Sequence, residues 1–186
     1  TYSIEQGPEL TRAAGTFTVK PGHTAATNVA LRWLKDLSAE HWYSGDLHIH
    51  RDPDEAPLHL RAGGLHMAPL LTVWNQNNRW ASRPLPERLL TEPRPGDFVH
   101  YLGCEDERQG GALLYLGLSR PLEFRGDGPE LPPSAQHLHT AAEQASAWID
   151  IEKPFWWDVP VWRRSGKAKS TGIANNHMCR SSKYED

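Results

Sequence analysis

The sequence predicts an α/β fold, and three observations carry that expectation. From residue 42 onward, short apolar runs alternate with helical or looped stretches. The run Trp42 to Arg51 has the period-2 alternation of a half-buried strand. The run Met67 to Val73 is continuously apolar, as suits a strand covered on both faces.

Residues 1–38 read differently. Gly15 to Val19 alternates and is rich in β-formers, Pro21-Gly22 marks a turn, and Thr27 to Trp33 alternates again. Two or three strands are marginal alone. The segment is therefore expected to be the end of a β-sandwich or a β-flap on the domain spanning residues 39–186. In that domain the organising strand leads into a polar loop (Asp52 to Pro57), a short helix to Gly63-Gly64, and the Met67 strand. Asn75 to Arg94 is too irregular for a long helix and reads as a surface excursion. Phe98 to Cys104 is expected as a third strand ending at the acidic cluster Glu105-Asp106-Glu107, and Gly111 to Leu118 as a fourth. Ser134 to Ala147 is the clearest helix, with Ser134 placed to cap it. Trp148 to Glu152 and a short run after Lys167 complete the strands.

Bulk composition narrows the function classes. A net charge of −3 with both signs scattered leaves no electrostatic footprint for nucleic acid or an anionic membrane surface. No apolar run approaches the length of a transmembrane span. Hydrophobic content is only 38%, but eight Trp supply large apolar area, which argues for a packed core over disorder. Cys104 and Cys179 cannot make a disulfide framework and do not fix a compartment.

The chemistry concentrates in Gly45-Asp46-Leu47-His48-Ile49-His50. On a strand, positions i and i+2 face the same side, so His48 and His50 can offer both imidazoles to one ion. Asp46 is in phase with them, as a third ligand or as an orienting carboxylate. Glu105, placed just past an apolar strand, is the expected partner acid. Two imidazoles and a carboxylate suit Zn, Mn or Fe. A second pair, His137 and His139, has the same spacing but falls in a helix. There, residues two apart diverge around the axis and cannot chelate together. Lys153 and Asp158 lie in a Trp- and Pro-rich stretch that can wall a pocket, and His177 follows two asparagines after a short strand. These three are the candidate catalytic groups, for oxyanion stabilisation or proton transfer.

Gly45 to His50 resembles the first motif of the PHP (polymerase and histidinol phosphatase) superfamily, in its carbaryl-hydrolase-like CehA/McbA-type branch. The resemblance runs in order along residues 42–186. Leu71-Thr72-Val73-Trp74-Asn75 stands where that family has a Leu-Thr-Asp-His-Asn-like motif, and Gly103-Cys104-Glu105 resembles a segment carrying a metal-binding glutamate. Lys153-Pro154 stands in place of His-Pro, and Gly172-Ile173-Ala174-Asn175 looks like the strand that follows it. The resemblance implies a partial, distorted β/α barrel preceded by a short β-rich segment, with metal at the C-terminal ends of the strands. It also implies hydrolysis of an ester, amide or phosphoester. Val73, Trp74 and Lys153 replace metal-binding types, and the family's final Asp-x-His motif is expected beyond the end of the chain. One metal held by His48, His50 and Glu105 is therefore expected, acting on a small-molecule or carbohydrate substrate. The alternative is a degenerate relative that binds a glycan or peptide through Trp74, Trp80, Trp156 and Trp157.

Overall fold

A computed structural model describes residues 1–124 and 131–173, the side chains of 131–133 excepted. Its centre is a mixed sheet of seven strands: β3 (Met67–Trp74), β4 (Asn77–Asn78), β5 (Leu90–Arg94), β6 (Asp97–Arg108), β7 (Gly111–Leu116), β8 (Trp148–Ile151) and β9 (Ser170–Thr171). The order is β4-β3-β6-β7-β8-β9, with β5 pairing β6. β3 runs parallel to β6 and β8 parallel to β9, while β6-β7-β8 is an antiparallel meander. Among the described residues the α-helices α1 (Ala56–Gly63), α2 (Leu131–Ala142) and α3 (Val159–Arg164) pack on this sheet. The α/β class is as expected. Closure into a barrel is not seen among the described residues, and the meander replaces the parallel pairs that β/α units would give.

Alternation along β6 divides the molecule. Leu102 and Cys104 join the main core with Val73, Leu113, Tyr115, Ile149, Leu138 of α2 and Trp162 of α3. Asp106, on that same face, meets His137 of α2. Glu105 and Glu107 point the other way. A second cluster of Ala56, Leu60, Ala68, Leu70 and Val99 seats α1 against β3 and β6. Pro57 in the first turn and left-handed Gly64 just past the end fit the usual punctuation of a helix.

Several boundaries differ from expectation, each for a local reason. Near the N-terminus β1 (Tyr2–Ile4) and β2 (Ala13–Gly15) pair, Leu10 and Trp33 form an isolated antiparallel bridge, and residues 16–32 form no strand. Phe17 and Val19 are 50% and 58% exposed, so their alternation has no surface to bury against. The organising stretch at residues 42–51 is not a regular strand. It follows the edge of β3 in parallel through isolated bridges at Gly45 and Ile49 only. β6 does not stop at Cys104 but continues to Arg108, because Glu105 through Arg108 pair with β7. α2 starts at Leu131, where Pro132-Pro133 suit a first helical turn, and ends at Ala142 instead of Ala147. Ser134 thus lies inside the helix, fully buried, and is not its cap.

Candidate metal centre

Two segments bring the key side chains together. The first is the extended stretch 44–50, held on β3 by Asp46 N–H to the Met67 carbonyl (3.2 Å) and by Leu71 N–H to the Ile49 carbonyl (2.8 Å). Ile49 packs against the α1 cluster, and the alternation turns His48 and His50 to the opposite side. The Arg79 guanidinium donates to the His50 carbonyl at 2.9 Å, which secures the end of the segment. The second is β6, which carries Glu105, 2% exposed. Gly103 makes that position possible: a Cβ there would stand 2.6 Å from the Leu70 carbonyl oxygen, so β3 approaches closely only at glycine.

Glu105 Oε2 lies 2.8 Å from His50 Nε2 and 3.2 Å from His48 Nε2, and the two imidazole nitrogens are 3.2 Å apart. The circle through these three atoms has a radius of about 1.8 Å. A point about 2.1 Å from all three, the usual ligand distance for zinc, therefore exists just outside their plane. The set is the only group of three or more His, Cys, Asp or Glu among the described residues with metal-binding proximity. The donors present thus fit a single divalent ion.

The electrostatics of the ion-free triad follow from the same contacts. The hydrogen bond to Glu105, then the one to Glu152, raises His48 from 6.5 to about 10. Burial alone would raise Glu105; the hydrogen bonds from His48 and His50 outweigh it and bring the carboxyl down to about 2. The triad is a proton-loaded ion pair that a cation must displace.

Around it, Lys153 is only 4% exposed, with its ammonium against Glu107 and 3.9 Å from Glu105 Oε1. Counting formal charges, Glu105, Glu107 and Glu152 against Lys153 leave a net −2 when both imidazoles are neutral, the complement of a divalent cation. Trp74 flanks His50 with ring centroids 5.3 Å apart, while Val73 is core.

The remaining predicted residues fall elsewhere. Asp46 is exposed and spends Oδ1 on the backbone N–H of His48 (3.0 Å), bending the segment instead of joining the triangle. Asp158 starts α3 with its carboxylate over Gly110 and its N–H donating to the Gly110 carbonyl (3.0 Å). His177, and Cys179, lie outside the described residues. His137 is buried on the far face of the sheet, 2.9 Å from Asp106, and His139 is exposed. Asp106 also pairs with Arg108 at 2.6 Å.

Two contributors are missed by reading the chain alone. Glu152 Oε1 stands 3.3 Å from His48 Nδ1. Its signal was available: it follows the apolar strand β8 directly, the cue that singles out Glu105. Asn75 is the other. Its side-chain amide donates to the Glu107 carbonyl (3.0 Å) and accepts the Glu107 N–H (2.9 Å), tying β3 to the acidic end of β6.

No family model, curated protein or solved structure matches this chain. Fold and site together define a mixed α/β chain carrying a His-His-Glu donor set. No helix among the described residues is long and apolar enough to cross a membrane.

Proposed function

We propose that this chain is a metal-dependent hydrolase of the PHP type, acting on an ester, amide or phosphoester of a small-molecule or carbohydrate substrate. The observation that carries the reading is the convergence of His48 Nε2, His50 Nε2 and Glu105 Oε2 within 3.2 Å of one another. Zn, Mn or Fe in that triangle supplies Lewis acidity and a water of lowered pKa at an open coordination position. His48 and His50 bind through Nε2. Glu105 binds through Oε2, and its other oxygen faces the Lys153 ammonium, which limits charge repulsion between buried Glu105 and half-buried Glu107. Trp74 forms an apolar flank at His50. The resemblance in motif order supports the partial, distorted barrel that completes this reading.

The test is metal titration of the purified chain, followed by assay on activated esters, amides and phosphoesters. One ion per chain and turnover lost in His50→Ala are expected. No stoichiometric Zn, Mn or Fe, with stability unchanged by chelator, would overturn it.

A binding-only role has a narrower basis than the Trp count suggests. Trp80 is half-buried and donates Nε1–H to Thr72 Oγ1 (2.8 Å), and Trp156 packs on the main core. Trp74 and Trp157 remain exposed, at 42% and 76%. Metal retention without turnover, together with glycan or peptide binding lost in Trp157→Ala, favours that reading.

A further inference from the structure

We propose that Glu152 is the positioning residue of the centre: its carboxylate accepts a hydrogen bond from His48 Nδ1–H and so presents Nε2 to the ion. The inference rests on the metal-binding reading of His48, His50 and Glu105.

A neutral imidazole carries one N–H, and whichever nitrogen keeps it, the other is the bare donor. His48 Nδ1 faces Glu152 Oε1 at 3.3 Å, while Nε2 faces Glu105 Oε2 and His50 Nε2. Both carboxylates only accept, so without an ion the imidazole donates from both nitrogens; an ion in the triangle displaces the Nε2 proton, and Glu152 keeps the remaining one on Nδ1. A carboxylate behind a metal-bound imidazole also raises its basicity and locks its ring plane.

The placement of Glu152 suits this task. Its N–H donates to the Ala112 carbonyl at 3.1 Å, anchoring it to β7. On the other side, a Cβ at Gly172 would meet the Glu152 carbonyl oxygen at 2.6 Å, so the neighbouring chain closes in on its backbone. The side chain is 11% exposed and Oε2 is buried with no hydrogen-bond partner among the described residues, which leaves His48 as its polar partner there. A half-satisfied buried carboxylate costs stability. An apolar side chain of similar length would serve packing at least as well, so packing alone does not account for the acid. Orientation of His48 does.

The experiment compares zinc affinity of the full chain, measured by competition with a chromophoric chelator, for wild type, Glu152→Met and Glu152→Gln. Glu152→Met is expected to lose about 10–100-fold in affinity, with thermal stability without metal unchanged or raised. Glu152→Gln recovers part of the loss, because its amide oxygen still accepts from Nδ1–H. Long-range proton–nitrogen NMR of the zinc-loaded protein reads the tautomer directly. Wild type shows His48 protonated at Nδ1 and metal-bound at Nε2, and Glu152→Met shows a mixture. Wild-type zinc binding with Glu152→Met within about twofold and the same His48 tautomer overturns the positioning role alone. If Glu152→Met does not fold, Glu152→Gln decides: full wild-type affinity with a mixed tautomer also overturns it. Absence of zinc binding by wild type overturns the metal reading, and this inference with it.

Discussion

Glu105 Oε2 and His50 Nε2 stand 2.8 Å apart although 55 positions separate the two residues. Neither is placed by local structure. His50 is carried by an edge segment on β3 and Glu105 by β6, and the two meet because β3 and β6 run parallel side by side. Glu105→Gln keeps the size and removes the charge. Outer-sphere partners of a bound metal are worth about 10–100-fold in affinity, and a direct ligand more. Zinc affinity of Glu105→Gln is therefore expected to fall by at least about 100-fold, with the fold retained by circular dichroism. An affinity within about threefold of wild type would remove Glu105 from the ligand set.

The same contact sets how the metal-free protein responds to pH. The folded-state value of His48 is raised from 6.5 to about 10, so its contribution is complete below about 6.5 and lost as pH rises through about 10. That of Glu105 is lowered from 4.5 to about 2, so its contribution is complete above about 4.5 and lost as pH falls through about 2. Both describe one ion pair, counted once. The stability advantage of wild type over His48→Gln should be greatest between about pH 4.5 and 6.5 and shrink on the alkaline side. Urea midpoints of the two proteins at about pH 5.5 and about pH 9, with chelator present, measure it. An advantage that grows toward alkaline pH contradicts the pair.

Gly103→Ala is expected to destabilise by about 1–3 kcal/mol, the range for overpacking a close-packed interior. The added methyl group meets backbone oxygen on two sides, Leu70 at 2.6 Å and Tyr115 at 3.2 Å, and neither can swing away as a side chain could. Denaturant unfolding reads the loss. Because Glu105 lies two residues on, zinc affinity should also weaken in Gly103→Ala, whereas Gly96→Ala should leave it unchanged.

Cys104 is predicted to be inert in the folded protein. It is fully buried, and burial pushes its thiol up to about 12. Thiolate is the reactive form, so labelling at neutral pH has to wait for local opening of β6. In a Cys179→Ser background, alkylation should be at least about 100-fold slower in buffer than in denaturant. Equal rates would mean that β6 is not held as described.

The parts of this molecule readable from its sequence are those where chemistry and local pattern coincide. His48-Ile49-His50 declares a shared face by spacing alone, and Met67 to Val73 declares a buried strand by its unbroken apolarity. Asp46 has the same spacing, yet its short carboxylate is captured by the His48 N–H two residues on. That competition between local turn and distant site leaves no trace in residue order. The extension of β6 to Arg108 depends on pairing with β7, a partner relationship that the polar run Glu105 to Arg108 conceals. Lys153 was legible as a charged residue among aromatics. Its engagement with Glu107 and Glu105 was not, since it needs Lys153, just past β8, to reach across β7 to the end of β6.

Asn75 offers the clearest separation of backbone strain from hydrogen bonding near the site. It adopts φ 49°, a left-handed conformation that Asn tolerates better than most non-glycine residues. From there its N–H donates to the Glu105 carbonyl (3.0 Å), and its amide brackets Glu107 with two further bonds. Asn75→Gly keeps the conformation and loses only the two side-chain bonds, each worth about 1 kcal/mol net. Asn75→Ala loses the same bonds and adds the left-handed penalty of about 1–2 kcal/mol. The alanine variant should therefore be less stable than the glycine variant by that increment. Both should bind zinc less tightly than wild type, because Glu105 and Glu107 lose the clamp that fixes the end of β6. Equal stability of the two variants would mean that residue 75 leaves the left-handed region once its amide is gone. Unchanged zinc affinity in both would mean that β7 pairing alone holds Glu105 in place.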